Sequence, residues 1–215
     1  MKKVLQLYRQ SIFHKEEVSH VLAAIGIFAV ILISISDLSY VKAIWRRQAQ
    51  PHRYTWFIFL MTALVIFWSQ FALGSRDSLF VFGWFVVVNL TIFCLSLTRG
   101  RGVGGLDWPN SIALIVALAS ITLWFTMSSA LMALICILVA DTIGITLSLI
   151  KTWRDPSSEP LMMWGLGSVA TALNVAAVGS PEWFLYLAPI HLFLCDVLMA
   201  TTIMVRRKMV SVSDS

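Results

Sequence analysis

Long apolar runs recur along almost the whole chain and are separated by short polar stretches. A helix needs about 20 predominantly apolar residues to cross the hydrocarbon core of a bilayer. The pattern therefore predicts an all-α, polytopic membrane protein with seven transmembrane helices. The predicted spans are 18–45, 54–73, 78–98, 109–128, 129–150, 161–179 and 183–205.

The segment before the first span, residues 1–17, is polar and charged. Its apolar residues Val4, Leu5, Tyr8 and Ile12 follow a helical spacing. This spacing predicts a short amphipathic helix that lies at the membrane interface.

Composition agrees with the pattern of spans. Of the 215 residues, 59% are hydrophobic and 13% are charged, whereas soluble domains have roughly 45–50% apolar and about 25% charged residues. A soluble single domain is excluded. The net charge of +5 comes mostly from residues that flank the spans, so we expect the lipid bilayer, and not nucleic acid, to be the partner of this charge.

The distribution of basic residues predicts the orientation. Eleven basic residues fall on one side of the seven spans and Arg76 alone on the other, if the tail before the first span is set aside. The positive-inside rule then predicts a cytoplasmic carboxyl end in the cell (inner) membrane. The amino-terminal tail disagrees, although Glu16 and Glu17 accompany its basic residues. The eleven are Lys42, Arg46, Arg47, Arg53, Arg99, Arg101, Lys151, Arg154, Arg206, Arg207 and Lys208; the tail carries Lys2, Lys3, Arg9 and Lys15.

Two loops of the chain are alike. Trp45 and Trp56 bracket one loop and Trp153 and Trp164 bracket the other, at a displacement of 108 residues. Both loops open Trp-Arg and contain Pro. Because Trp is common at membrane interfaces in general, coincidence is the alternative to an internal repeat.

Polar landmarks in two later spans repeat at nearly the same displacement. Asn89 precedes Arg99 by ten residues, and Asp196 precedes Arg206 by ten, which gives a displacement of 107. A repeat of four helices, an even number, places the two copies parallel. The predicted division of the chain is an amphipathic segment at 1–17, a first three-helix repeat at 18–98, a loop and linker helix at 99–128, a second repeat at 129–205 and a basic tail at 206–215.

This organisation resembles the SWEET and SemiSWEET sugar transporters and the wider PQ-loop group. The resemblance implies a 3+1+3 helix architecture with a polar Asn in the third and seventh helices facing the solute. Asn89 matches the first of these positions, and Asp196 matches the second with an acid in place of the amide. The stretch KTWRDPSSEPLMMW, 151–164, is similar to the segment that follows the PQ motif. The Pro-Gln dipeptide and the hinge prolines are missing. Gly144 could supply flexibility in the fifth span, although a helix Gly in membranes is more often a close-packing site.

Three carboxylates fall inside the spans without a Lys or Arg at comparable depth: Asp37, Asp141 and Asp196. Ionisable groups at membrane depth are costly and indicate function. Asp141 and Asp196 lie near mid-span, and we predict that they couple transport to protons. Asp37 lies about two turns from Trp45, so we expect it to reach the cytoplasmic interface.

The predicted solute site combines Asp196 with polar and aromatic side chains of three spans, namely Asn89, Trp84, His191 and Asn174. A hydrogen bond between Asn89 and Asp196 is the structural alternative for that pair. For Asn174 the alternative is a bond between helices.

Tryptophans and cysteines have plainer interpretations. The three cysteines have no CxxC pair and no His at ligand spacing, which predicts neither a metal nor a cofactor and places them on lipid- or core-facing surfaces. Six tryptophans at span ends are typical of an aromatic belt, and three deeper ones are candidates for stacking on a solute. The cysteines are Cys94, Cys136 and Cys195; the belt is Trp45, Trp56, Trp108, Trp153, Trp164 and Trp183; the deeper tryptophans are Trp68, Trp84 and Trp124.

Two functions are compatible with these observations. The first is transport of a small polar solute, sugar or amino-acid-like, by alternating access between two three-helix bundles. The second is a non-transporting receptor, chaperone or complex subunit with the same fold. HExxH and GxSxG motifs are absent, so we do not expect an enzyme. A homo-oligomer or a larger membrane complex stays open.

Overall fold

The computed structural model of the protein describes residues 2–47, 51, 53–99, 108, 111–112, 114–116, 118–119, 122, 129–157 and 159–213. Throughout these ranges the chain forms helices and turns and no strand, which confirms the all-α prediction. The helices are α1 (Lys2–Trp45), α2 (Arg53–Ala72), α3 (Leu79–Arg99), α4 (Ala130–Arg154), α5 (Leu161–Ala176), a 3₁₀ turn (Trp183–Tyr186) and α6 (Leu187–Ser213).

The fourth predicted span, 109–128, lies for the most part outside the described residues. Consequently α4, α5 and α6 correspond to the fifth, sixth and seventh predicted spans. The predicted amphipathic segment 1–17 forms the beginning of α1, which runs as one helix from Lys2.

Four helical stretches are long and apolar enough to cross a membrane, which indicates a membrane protein as the apolar pattern predicts. The apolar part of α2 and the whole of α5 are shorter. With 16 residues, α5 is about 24 Å long, against a hydrocarbon core of about 30 Å. The four stretches are Glu17–Trp45, Leu79–Thr98, Ala130–Arg154 and Trp183–Val210.

The outer faces of the helices are apolar. On α1 the exposed large side chains recur every three or four residues, which is one face of a helix. Such a face is suited to lipid. The residues on this face are Ile27, Ile31, Ile35 and Leu38.

Helix packing divides the described helices into two groups. In the first group α3 packs against both α1 and α2, and in the second α6 packs against both α4 and α5. The groups meet along two seams, one between α1 and α5 and one between α2 and α4. The seams leave a space between the groups.

Two of the apolar clusters contribute side chains to the wall of this space. One cluster joins α2, α3, α4 and α6, and so crosses the α2–α4 seam. The other lies within the first group, around Tyr40, Ile44 and Trp56. The first cluster consists of Val65, Ile66, Phe82, Ala133, Leu134, Ile137, Ala140 and Ala188.

A close backbone approach fixes α1 against the turn between α2 and α3. A Cβ atom on Gly26 would lie 2.5 Å from the main-chain oxygen of Asp77, which is far inside van der Waals contact. Since the obstructing atom belongs to the backbone, a side chain at this position forces the helix and the turn apart.

We therefore expect Gly26→Ala to lower the free energy of unfolding by about 1–3 kcal/mol, the usual cost of overpacking. Gly165→Ala is the matched control, because a Cβ there meets nothing within 4 Å; it should be neutral or stabilising by up to about 1 kcal/mol. Thermal unfolding in detergent compares the two variants with the parent. Equal melting temperatures for both variants would contradict the close packing at Gly26.

Candidate functional site

A cavity of about 600 Å³ lies between the two helix groups. Its volume falls within the range of sites that bind small molecules, about 300–1,000 Å³. Each of the six helices contributes to its wall. Polar and aromatic contributors include Asp37, Tyr40, Trp56, Thr62, Asn89, Asp141, Trp164 and Asp196.

The two ends of the cavity differ. At one end the wall reaches the exposed Arg154 and Asp155, where α4 finishes. At the other end Ile66, Phe82 and Leu192 form an apolar floor, which belongs to the cluster across the α2–α4 seam or packs against it. The cavity thus has a polar rim at one end and an apolar floor of protein side chains at the other.

All three of the carboxylates predicted inside the spans line this cavity. The prediction that Asp37 reaches the cytoplasmic interface is wrong. Its side chain is buried, with 4% exposed, and accepts a hydrogen bond of 2.8 Å from the indole nitrogen of Trp84. The physical reason is that Trp84 on α3 faces α1 and offers the carboxylate a donor inside the protein.

Asp196 lies on the opposite wall. Its Oδ2 accepts a hydrogen bond of 3.0 Å from the hydroxyl of Thr171 on α5. Gly167 lies against the same carboxylate, since a Cβ atom built there would be 3.3 Å from Oδ2. The small residue leaves room for the acid between α5 and α6.

Asn89 lines the cavity but does not bond to Asp196. Its Nδ2 donates to the carbonyl of Phe85, one turn earlier on α3, at 2.8 Å. The alternative of a structural Asn89–Asp196 pair is therefore wrong for this conformation. Each polar side chain is held by its own helix group, which leaves the space between them for a ligand.

Asp141 forms the third acidic position. Its Oδ2 lies 3.1 Å from Nε2 of His191, and Sγ of Cys195 lies 3.5 Å from the same nitrogen. The expectation that no His accompanies the cysteines is wrong, because His191 precedes Cys195 by four residues, one helical turn. Asp141 and Cys195 line the cavity, and His191 lies behind them.

The tryptophans divide differently from the prediction. Trp56 and Trp164 line the cavity and do not belong to an aromatic belt. Trp56 packs against the rings of Tyr40 and Phe59, at centroid distances of 5.3 and 5.6 Å, and Trp164 donates to Glu159 at 3.3 Å. These aromatic and polar contacts hold the two tryptophans inside the protein, so they do not face the membrane interface.

Other tryptophans lie on the outside. Trp68, predicted to be a deep stacking residue, is 46% exposed, and Trp124 lies outside the described residues. Trp84 does not line the cavity and instead holds Asp37 from behind. The exposed tryptophans that agree with the predicted belt are Trp45, Trp108, Trp153 and Trp183.

Asn174, a predicted solute ligand, lies elsewhere. It is fully buried in α5 and is not part of the cavity wall. Neither of its amide atoms has a hydrogen-bond partner within the described part of the chain.

The rim is braced by the end of α6. The Arg206 guanidinium donates to the carbonyl of Trp153 at 2.8 Å and lies over its ring, 4.9 Å from the centroid. Arg207 donates to the carbonyls of Pro156 and Glu159 at 3.1 and 2.9 Å. These bonds satisfy carbonyls at the end of α4 and in the following loop.

Comparisons with known proteins found no match to this chain among protein-family models, curated proteins or solved structures. The site is therefore interpreted from its own geometry.

Trp84→Phe tests whether the indole holds Asp37 in place. It removes the donor while keeping an aromatic ring, so the buried carboxylate loses its bond and the free energy of unfolding should fall by about 1–3 kcal/mol. Trp68→Phe is the matched control on an exposed face and should change little. Denaturation in detergent measures both, and an equal effect of the two substitutions would show that the Trp84–Asp37 bond contributes nothing.

Proposed function

We propose that this protein is a membrane carrier for a small polar solute and works by alternating access between two three-helix repeats. The observation that carries the proposal is the cavity itself. It lies between the two helix groups, receives side chains from all six described helices, and has exposed charged residues at one end and apolar residues at the other. A carrier needs a site of this kind, accessible from one side at a time.

The packing pattern supports two repeats. If α1, α2 and α3 are exchanged for α4, α5 and α6, each extensively packed pair of helices becomes another packed pair. In particular, the α1–α5 seam exchanges with the α2–α4 seam. This is the relation that a two-fold repeat requires, and on this proposal the full chain has seven spans, with a linker helix between the repeats.

The landmarks of the sequence repeat occupy matching places. Trp56 and Trp164, 108 residues apart, both line the cavity, and so do Asn89 and Asp196, 107 residues apart.

A hydrogen bond also recurs in the two groups. In the first, Trp84 on α3 holds an acid of α1, and in the second, His191 on α6 holds an acid of α4. Trp84 and His191 are themselves 107 residues apart. These correspondences make coincidence a poor explanation of the repeat and favour a SWEET-like fold.

The wall chemistry favours a solute that carries a positive charge. Five carboxylates line the cavity, three of them inside the predicted spans, while Arg154 at the rim is the one Lys or Arg among its described lining residues. Aromatic rings of Tyr40, Trp56 and Trp164 offer faces to an organic cation or to a sugar ring. We therefore favour an amine-bearing, amino-acid-like solute over the sugar that the family resemblance implies.

On the predicted orientation, the rim of the cavity faces the cytoplasm. The rim lies where α4 ends and α6 places Arg206 and Arg207, two residues of the side rich in positive charge. The conformation is then the inward-facing state of the carrier.

Uptake into proteoliposomes tests the carrier directly. A panel of labelled amines, amino acids and sugars should contain at least one solute that the parent accumulates. Asp196→Asn should reduce that uptake by about tenfold or more, as expected for loss of a charge-assisted bond to the solute. Glu182→Gln is the matched control, because Glu182 is an exposed acid that is not part of the cavity wall, and it should transport normally.

Two arms of the same experiment decide the remaining points. Uptake with and without an imposed pH gradient tests the proton coupling predicted for Asp141 and Asp196. No uptake of any solute by folded protein would contradict the carrier and support a non-transporting receptor or complex subunit. That second candidate is favoured by one observation: α1 and α4 run without interruption and contain no Pro hinge.

A further inference from the structure

Three side chains of metal-ligand type converge at the cavity wall. The carboxylate of Asp141, the Nε2 of His191 and the Sγ of Cys195 all lie within 4.8 Å of one another. His191 and Cys195 come from one face of α6, and Asp141 comes from α4. The group thus joins two helices that pack against each other.

The two separations measured from Nε2 of His191 are close to those between ligands of one zinc ion. Zinc lies about 2.0–2.2 Å from nitrogen or oxygen ligands and about 2.3 Å from sulfur. In a tetrahedral site these bonds put a nitrogen about 3.4 Å from an oxygen and about 3.6 Å from a sulfur ligand. The observed separations from Nε2 are 3.1 Å to the Asp141 oxygen and 3.5 Å to the Cys195 sulfur.

Hydrogen bonding accounts for only one of the two contacts of this nitrogen at a time. Both contacts fall on the same ring nitrogen, which either donates its single hydrogen to Asp141 or accepts one from the Cys195 thiol. A nucleophilic triad is also excluded, because it needs the thiol and the carboxylate on opposite nitrogens of the ring. A metal cation placed between the three ligand atoms could bind the carboxylate oxygen, the ring nitrogen and the sulfur at the same time.

The surroundings are suited to a positive ion. Asp196 follows Cys195 directly in the chain, and Asp37 lines the same cavity. Within the described cavity wall, the one Lys or Arg is Arg154, at the distant rim. A bound cation would thus offset the charge of carboxylates in a part of the described wall that contains no Lys or Arg.

We propose that Asp141, His191 and Cys195 bind one divalent transition-metal ion of the zinc class. The thiolate and imidazole select against magnesium and calcium, which take oxygen ligands. Three protein ligands leave a fourth position open, and since Asp141 and Cys195 line the cavity, that position faces the space where a solute would lie. The site does not depend on transport, and binding is measured on solubilised protein.

Cobalt(II) is the probe, because tetrahedral Co²⁺ absorbs visible light strongly and a thiolate ligand adds a charge-transfer band in the near ultraviolet. The parent for the titration is untagged protein carrying Cys94→Ser and Cys136→Ser, so that Cys195 is its remaining thiol. We expect both bands to saturate at one Co²⁺ per chain and to disappear when Zn²⁺ is added.

Substitutions of the ligands assign the site. Cys195→Ser should abolish the charge-transfer band, and His191→Gln and Asp141→Asn should each weaken Co²⁺ binding at least 10- to 100-fold, since even outer-shell partners of a metal contribute that much. His20→Gln is the matched control on an exposed histidine and should leave the titration unchanged. An unaltered spectrum in Cys195→Ser, or no thiolate band in the parent, would overturn the proposal.

Alkylation keeps the test decisive if a ligand variant fails to fold. In the Cys94→Ser, Cys136→Ser parent, Zn²⁺ should slow alkylation of Cys195 by a small maleimide at least tenfold, and a chelator should restore the rate. An unchanged rate would refute metal binding whatever the uptake experiment gives. Conversely, if the protein binds the metal ion but transports no solute, the metal-site proposal stands and only the carrier proposal is refuted.

Discussion

The structure depends on where a chain surrounded by lipid can place its polar side chains. Hydrocarbon offers them no hydrogen-bond partners, so Asp37, Asp141 and Asp196 must face the inside of the protein, while α1 turns Ile27, Ile31 and Leu38 outward. Burying these acids in an apolar core without hydrogen-bond partners would also cost free energy. A shared internal cavity, with a donor from a neighbouring helix for each acid, satisfies both constraints.

The two seams explain why this cavity lies between the helix groups. Each group encloses its own middle helix, α3 or α6, so the acids of α1 and α4 receive their donors from within their own group. Their remaining surfaces face the opposite group across the cavity. A solute in the cavity would therefore contact side chains of both halves without breaking the bonds that hold them, whereas a metal ion at the α4–α6 wall would lie within the second group and take the place of the Asp141–His191 hydrogen bond.

The sequence predicts the helices well and the partners of their side chains poorly. Apolar period and length locate most helix bounds within a few residues, as for Leu161 at the start of α5.

The hydrogen-bond partner of Asp37 could not be predicted from the sequence, because Trp84 is 47 residues away and the pairing depends on how α1 packs against α3. Trp56 and Trp164 also look like interface residues until packing turns them inward. The His191–Cys195 spacing of one turn is the signal that sequence reasoning missed; Asp141, from another helix, completes the group only in three dimensions.

The length of α1 has a mechanical consequence. At 44 residues it is about 66 Å long, roughly twice the thickness of the hydrocarbon core, and Asp37 lies near its far end. The helix is continuous, so a rotation at one end moves the other end by a larger distance. With a rise of about 1.5 Å per residue, a tilt of about 10° around Asp37 would displace Lys2 by about 9 Å. The amino terminus thus magnifies small rotations at the cavity wall, and a spectroscopic label there would report them.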